Sequence, residues 1–112
     1  MKKIALYAFK GDKMCFMHVL LNAIDMGSKG IEVKVIIEGE AVKLIEQFIE
    51  SKNPLFSKVN RMGLIDCICK ACSAKMGVLE YNEKSGIRIS GEMNGHPPME
   101  AYIKDGYEII TM

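Results

Sequence analysis

Short apolar runs, separated by polar turns, recur along the chain and predict β-strands. The first run, residues 3–9 (KIALYAF), is bounded by Lys10-Gly11-Asp12 and is typical of a buried strand. Residues 31–37 (IEVKVII) alternate before they become fully apolar, which predicts a strand with one end near solvent. Three further strands are predicted over residues 64–69 (LIDCIC), 86–90 (GIRIS) and 107–112 (YEIITM).

Apolar residues at helical spacing fill the intervals between these strands. Residues 13–27 place Phe16 and Leu20 on one helical face, and residues 38–51 show a second amphipathic pattern. Pro54 disfavours helix in the residue before it, so the second helix should end there. Shorter helical segments are predicted over residues 54–63, 73–79 and 95–106.

The predicted elements follow the order β-α-β-α-β-α-β-α-β. Strands that alternate with helices predict an α/β fold, with a mainly parallel sheet of about five strands covered on both faces. A chain of 112 residues fits one domain, residues 1–112, and can bury a hydrophobic core without disulfides or metals.

Composition and charge exclude several classes of protein. The formal net charge of +1 does not indicate a nucleic-acid-binding protein, and no apolar stretch is long enough to span a bilayer. Residues 1–13 lack the cleavage site of a secretory signal. We therefore expect a cytoplasmic protein that binds neither nucleic acid nor a membrane. The 9 methionines indicate an adaptable surface that favours self-association.

Three of the 4 cysteines lie in residues 66–77 (DCICKACSAKMG), as C-x-C-x-x-C. Where thiols stay reduced, clustered cysteines are typical of catalysis, redox exchange or metal binding. Cys67 and Cys69 are two residues apart on a strand, so their side chains should leave the same face. Cys72 falls at the predicted start of the next helix.

Two of these thiols occupy positions that favour the nucleophilic thiolate. Cys69 ends a strand, at the edge of the sheet where α/β proteins gather their chemistry, and Cys72 meets the positive end of a helix dipole. Lys70 and Lys75 add positive charge. Cys69 and Cys72 are therefore the candidate reactive residues, whereas Cys67 is expected to pack as a small buried hydrophobe.

Two residues outside the cysteine cluster are candidates for assisting the reactive thiols. His96 would lie near Cys69 if the fourth strand adjoins the third, and its imidazole would then stabilise the thiolate. Cys15 follows the first strand and emerges at the same edge of the sheet. The alternatives are a rigid turn with a solvent-facing His96 and core packing for Cys15.

The cysteine pattern leaves other chemistries open. Zinc uses C-x-x-C pairs but needs further ligands, and no second C-x-x-C or H-x3-H is present, so a metal site on Cys67, Cys69 and Cys72 is the weaker alternative. A C-x-x-C at a helix start also fits thiol–disulfide exchange, although two βα units precede it, unlike in thioredoxin. No Gly-rich phosphate loop or catalytic motif indicates a cofactor, and none is expected.

Residues 69–78 (CKACSAKMGV) resemble the DsrE/DsrF-like family, whose members place a cysteine at the end of the third strand, before a small-residue helix and a Gly-hydrophobic pair. Here Cys69 is followed eight positions later by Gly77 and then Val78. Residues 22–42 also resemble the family's first helix, second strand and the turn after it. The resemblance implies a three-layer α/β/α sandwich, flavodoxin-like in appearance, that forms homo-oligomers.

The resemblance also implies a role in sulfur relay, in which the strand-end cysteine takes sulfur as a persulfide from a donor protein and passes it to an acceptor protein. This role maps onto Cys69 alone. Cys72 departs from the single-cysteine pattern and would resolve the persulfide as a disulfide or act as a second carrier. The sequence thus predicts a sulfur carrier or sulfurtransferase subunit acting through Cys69, with Cys72 assisting. The alternatives are a metal- or ligand-binding module and a C-x-x-C exchange protein.

Overall fold

A five-stranded parallel sheet forms the centre of the structure, a computed structural model that describes residues 2–112. Its strands are β1 (Lys3–Ala8), β2 (Glu32–Ile37), β3 (Ile65–Cys69), β4 (Ile89–Ser90) and β5 (Glu108–Thr111). They lie in the order β4-β3-β2-β1-β5, and every pairing is parallel. The predicted α/β fold with about five strands is confirmed, although the fourth strand is only two residues long.

Helices fill every interval between the strands. They are α1 (Lys13–Ser28), α2 (Leu44–Glu50), α3 (Pro54–Arg61), α4 (Lys70–Lys75), α5 (Leu79–Lys84) and α6 (Met99–Lys104). The helix predicted over residues 38–51 is divided, because a 3₁₀ helix, Gly39–Lys43, precedes α2. The chain turns sharply there: Gly39 has a φ of 55° and passes so close to β1 that a Cβ would lie 2.8 Å from the carbonyl oxygen of Phe9. Among residues 2–112, no helix has both the length and the apolar character needed to cross a membrane.

Two helical boundaries differ from the sequence prediction. Helix α4 begins at Lys70, directly after β3, and Gly77 (φ 75°) separates it from α5, which the sequence pattern did not predict. The last helix begins only after Pro98. Since a residue that precedes proline is disfavoured from helix, the pair Pro97-Pro98 keeps the preceding chain out of α6.

The strand order explains why the two faces of the sheet are covered so differently. The connections from β1 to β4 all step in one direction, so right-handed crossovers place their helices on the same face. The connection from β4 to β5 returns across the sheet and places α6 on the opposite face. The larger core cluster thus packs α1 to α3 against one face, and the smaller one packs Tyr102 of α6 against Tyr7 and Cys67. These layers form the three-layer α/β/α sandwich.

The pairing of β2 with β3 shifts by one residue between Ile65 and Cys67, so the polar residue Asp66 has no partner on β2. The hydroxyl of Tyr102 donates a hydrogen bond to Asp66 and lies 3.4 Å from the sulfur of Cys67. Arg88 pairs with the same carboxylate at 2.8 Å. Cys67 is therefore anchored in the layer beneath α6.

Candidate functional site

Four side chains with metal-binding or nucleophilic atoms converge at the carboxyl edge of the sheet. Glu38 directly follows β2, Cys69 is the last residue of β3, Cys72 lies in the first turn of α4, and His96 lies in the loop after β4. One oxygen, nitrogen or sulfur atom from each of these four residues lies within 4.8 Å of the others. Because β2, β3 and β4 are neighbours in the sheet, their carboxyl ends meet at one place.

The Nδ1 atom of His96 lies close to each of the other three donor atoms. It is 3.1 Å from Sγ of Cys69, 3.7 Å from Sγ of Cys72 and 3.3 Å from Oε1 of Glu38. In a nucleophile–base–carboxylate triad, the base faces the nucleophile with one ring nitrogen and the carboxylate with the other. Here a single nitrogen faces both thiols and the carboxylate, so the arrangement is not a triad.

The start of α4 fixes the position of Cys72 relative to Cys69. Cys69 is the N-cap residue, and its sulfur accepts a hydrogen bond from the amide of Cys72 at 3.4 Å. An N-cap side chain reaches the amide two or three residues later, and the C-x-x-C spacing places the second cysteine at that position. The local structure thus turns both sulfur atoms toward His96.

A buried hydrogen-bond network fixes the peptide that follows Cys69. The hydroxyl of Ser73 donates to the carbonyl oxygen of Cys69 at 2.7 Å. The side-chain amide of Asn82 donates to that hydroxyl at 3.0 Å and to the carbonyl of Val42 at 3.1 Å. Ser73 and Asn82 are both fully buried, so these bonds restrain the end of β3 where the site lies.

The loop that carries His96 is held at several points. Met93 and His96 exchange two backbone hydrogen bonds, at 2.9 and 2.8 Å. The hydroxyl of Tyr7 donates to the carbonyl of Pro97 at 3.1 Å. Gly95 adopts a φ of 93°, which is unfavourable for residues with a side chain. The imidazole is therefore presented to the cysteines by an ordered loop.

Burial controls the electrostatics of this site. Cys69 is fully buried, and burial raises the pKa of its thiol to about 12, with a further upward contribution from Cys72 and Glu38. The expectation that the helix terminus and the nearby lysines favour a thiolate at Cys69 is therefore wrong. Lys70 is exposed, and the effect of burial on the pKa of Cys69 outweighs the hydrogen bond from the backbone amide of Cys72, which lowers it. Burial also raises the pKa of Glu38, against the opposing effect of His96.

Cys72 is the thiol that meets the surface. It is half-buried and lines a cavity of about 280 Å³ together with Gly39, Glu40, Lys75 and Met76. Cys69 lies behind it, with no exposed surface. A molecule that enters this cavity therefore reaches Cys72 before Cys69.

The remaining predicted residues lie elsewhere. Cys67 packs in the smaller core cluster while Cys69 joins the larger one, so the two thiols do not share surroundings as their spacing had predicted. The ligand set Cys67, Cys69 and Cys72 is consequently wrong: the atoms that converge with Cys69 and Cys72 belong to Glu38 and His96. Cys15 lies beside a separate cavity, lined also by Lys10, His18 and Met112.

Glu38 is the one member of the site that sequence reasoning did not select. Its signal was a carboxylate placed directly after the apolar run Val35-Ile36-Ile37, at the carboxyl end of a predicted strand. That position favours a functional role in an open α/β sheet. The pattern of residues 38–51 indicates the start of a helix at Glu38, and the proximity of Glu38 to Cys69 depends on β2 lying beside β3.

The fold and the site define an α/β/α protein with a cysteine–histidine–glutamate cluster at the carboxyl edge of its sheet. The chain belongs to the same family as the uncharacterized protein MJ0733 of Methanocaldococcus jannaschii, with which it shares 33% identity over 96 residues, covering 86% of this chain and 78% of that protein. An uncharacterized protein of Archaeoglobus fulgidus is 37% identical over 49 residues, which cover 44% of this chain and 80% of the relative.

Comparison with solved structures supports the fold. BT1422 of Bacteroides thetaiotaomicron, a conserved protein of unknown function, superposes with a TM-score of 0.76. The match covers 99% of this chain and 95% of BT1422 at 20% sequence identity, which shows a common fold alone. No family model matches the chain.

Proposed function

We propose that this chain is a DsrE-like sulfur carrier that works through the thiol pair Cys69 and Cys72. One observation carries the proposal: the two sulfur atoms lie within 4.8 Å of each other and both face Nδ1 of His96. Sulfur relay requires a thiol that attacks sulfur and later presents it to another thiolate. The resemblance of residues 69–78 to the DsrE/DsrF-like family supports the same activity.

The difference in exposure assigns separate tasks to the two thiols. Cys72 borders the surface cavity, so it meets the persulfide of a donor protein first. His96 takes the proton of the Cys72 thiol, and the resulting thiolate attacks the outer sulfur of the donor persulfide. A bond forms between Sγ of Cys72 and that sulfur, the sulfur–sulfur bond of the donor breaks, and the donor leaves as a thiol after it regains the proton from His96.

The second step moves the sulfur inward. Sγ of Cys69 gives its proton to His96 and attacks the outer sulfur of the Cys72 persulfide. The new bond forms at Cys69, the bond to Cys72 breaks, and Cys72 leaves as a thiolate that regains the proton from His96. The fully buried Cys69 would shield the persulfide from water until an acceptor protein reverses the sequence through Cys72. We also propose that the carrier is a homo-oligomer and that it acts in the cytoplasm.

Mass spectrometry of the intact protein tests the proposal. Reduced protein, kept with a chelator, is incubated with a low-molecular-weight persulfide, and the site of the added sulfur is mapped on peptides. We expect one transferable sulfur atom per chain, on Cys69 or Cys72. The control variant Cys15→Ser should load the same amount. Loading should be about 100-fold slower in His96→Ala, because a positioned general base typically accelerates proton transfer steps by at least about 100-fold. The absence of added sulfur on the unmodified protein, or equal loading of the Cys69→Ser/Cys72→Ser double variant, would refute the carrier role.

A further inference from the structure

The donor atoms around His96 are of the types that zinc prefers. Two cysteine sulfurs, one imidazole nitrogen and one carboxylate oxygen come from Cys69, Cys72, His96 and Glu38. Structural zinc sites combine cysteine with histidine, and carboxylate oxygens also serve as ligands. Soft thiolates disfavour magnesium and calcium, which are bound through oxygen. The chemistry of the donor set therefore selects a transition metal, and zinc in particular.

The distances from Nδ1 of His96 to the other three donors fit a single tetrahedral ion. Zinc binds sulfur at about 2.3 Å and nitrogen or oxygen at about 2.0–2.1 Å, so ligand atoms around one ion lie roughly 3.3–3.8 Å apart. In the structure, Nδ1 of His96 is 3.1 and 3.7 Å from the two sulfur atoms and 3.3 Å from Oε1 of Glu38. These three distances lie within a few tenths of an ångström of the required values, and all four donor atoms lie within 4.8 Å of one another.

Three donor groups compete for one ring nitrogen in this group. Nδ1 of His96 forms a single hydrogen bond, as donor or as acceptor, yet Oε1 of Glu38 and the sulfurs of Cys69 and Cys72 all approach it. The Cys69 thiol also has the carbonyl oxygen of Gly95 as an acceptor, at 3.6 Å. A divalent cation in the middle would interact favourably with all four atoms at once. It would also compensate the burial of Cys69, a fully buried thiol whose charged form is costly without a partner.

From these observations we infer that Glu38, Cys69, Cys72 and His96 bind one Zn²⁺ ion as a closed four-ligand site. Binding releases the two thiol protons to solvent and leaves two thiolates, one carboxylate and a neutral imidazole around the metal. The amide of Cys72 already points at the sulfur of Cys69 at 3.4 Å, a bond that favours a metal-bound thiolate. The cavity at Cys72 provides the entry path.

Zinc binding and sulfur transfer would compete, because the ion would occupy both thiols and the ring nitrogen of His96 that serves as the base of the transfer. The bound ion would then keep the thiols reduced and prevent them from taking up sulfur until it is removed. This regulatory consequence rests on the proposed sulfur-carrier function, whereas zinc binding itself does not.

Metal titration of the reduced protein tests the inference. Zn²⁺ is added in competition with a chromophoric chelator, and Co²⁺ is used separately as a spectroscopic probe. We expect one zinc per chain, and a cobalt complex with tetrahedral absorption and thiolate-to-cobalt charge transfer. Affinity should fall by more than about 100-fold in Cys69→Ser and Cys72→Ser, since even changes behind the ligands cost 10–100-fold. His96→Ala and Glu38→Gln should also weaken binding, by at least about tenfold.

Two control variants separate this site from its alternatives. Cys15→Ser and Cys67→Ala should bind zinc as the unmodified protein does, because neither residue belongs to the group of four. Equal affinity of His96→Ala and the unmodified protein, or loss of binding in Cys67→Ala with the fold retained, would overturn the assignment. The cobalt spectrum of the unmodified protein decides the matter without any variant: a spectrum without thiolate charge transfer refutes the site.

The two proposals fail in different ways. Sulfur loading is measured with a chelator present. A protein that fails to load sulfur under these conditions could still bind zinc, so that result would not contradict the zinc site. Zinc titration is measured without a sulfur donor, so weak zinc binding leaves the carrier role unaffected.

Discussion

The sulfur of Cys69 lies 3.1 Å from Nδ1 of His96, although 27 positions separate the two residues along the chain. The contact arises because β4 pairs with β3 so that Cys69 lies opposite Ser90. The loop after β4 then folds back over α4, where the amide of Ala71 donates to the carbonyl of Gly95 at 2.8 Å. A strand of only two residues is enough to bring the imidazole to the thiol.

The first prediction concerns the fit of Gly95 against α4. A Cβ atom at Gly95 would lie 2.8 Å from Cβ of Ala71, and the φ of 93° is strained for alanine. Gly95→Ala should therefore push the loop away from α4 and displace His96. We expect zinc affinity to fall by about 10–100-fold, as measured by competition with a chelator.

Gly86→Ala is the matched control for this change. Gly86 has a similar φ of 87°, but a Cβ there would meet no atom within 4 Å. Both variants should lose stability through backbone strain, of order 1–3 kcal/mol, whereas only Gly95→Ala should lose zinc affinity. If the two variants bind zinc equally well, the loop position does not depend on this contact.

The second prediction concerns the order in which the thiols react. Cys72 borders a surface cavity and Cys69 has no exposed surface, so limiting iodoacetamide should alkylate Cys72 well before Cys69 in chelator-treated protein. Peptide mapping at increasing times measures the two rates. Faster labelling of Cys69 would contradict the assignment of Cys72 as the entry thiol.

Added zinc extends the alkylation experiment. One equivalent of Zn²⁺ should protect Cys69 and Cys72 together, since both sulfurs would be coordinated. Cys15 is half-buried beside a different cavity and should react at an unchanged rate, which makes it an internal control. Protection of Cys15 to the same extent would indicate a general effect of zinc instead of a site.

The third prediction concerns the buried network behind the site. Ser73→Ala removes the hydroxyl that donates to the carbonyl of Cys69 and accepts from Asn82. Both partners would lose a buried hydrogen bond, so the free energy of unfolding should fall by about 1–3 kcal/mol in urea denaturation. Ser57→Ala, at a half-buried position in α3, is the control and should change stability by less than about 0.5 kcal/mol. Equal effects of the two changes would show that the network contributes nothing.

Much of the fold was predictable because the signals are local. The apolar run at residues 3–9 and the helical spacing of Phe16 and Leu20 report burial along one element, and both predictions are confirmed. The alternation of strands and helices predicted the parallel sheet for the same reason. The division of residues 38–51 and the separate helix α5 depend on contacts with other elements, so periodicity did not reveal them.

The candidate site shows the same division between local and tertiary information. Local sequence was sufficient to predict that Cys69 ends a strand and that Cys72 lies near the start of a helix, because strand length and C-x-x-C spacing are properties of neighbouring residues. The approach of Glu38 and His96 to these cysteines, and the burial of Cys69 behind Cys72, depend instead on how distant parts of the chain pack together. Strand order sets those relationships: side chains from β2, β3 and β4 meet because the strands are neighbours in the sheet, and neighbours in a sheet are chosen by packing of the whole chain.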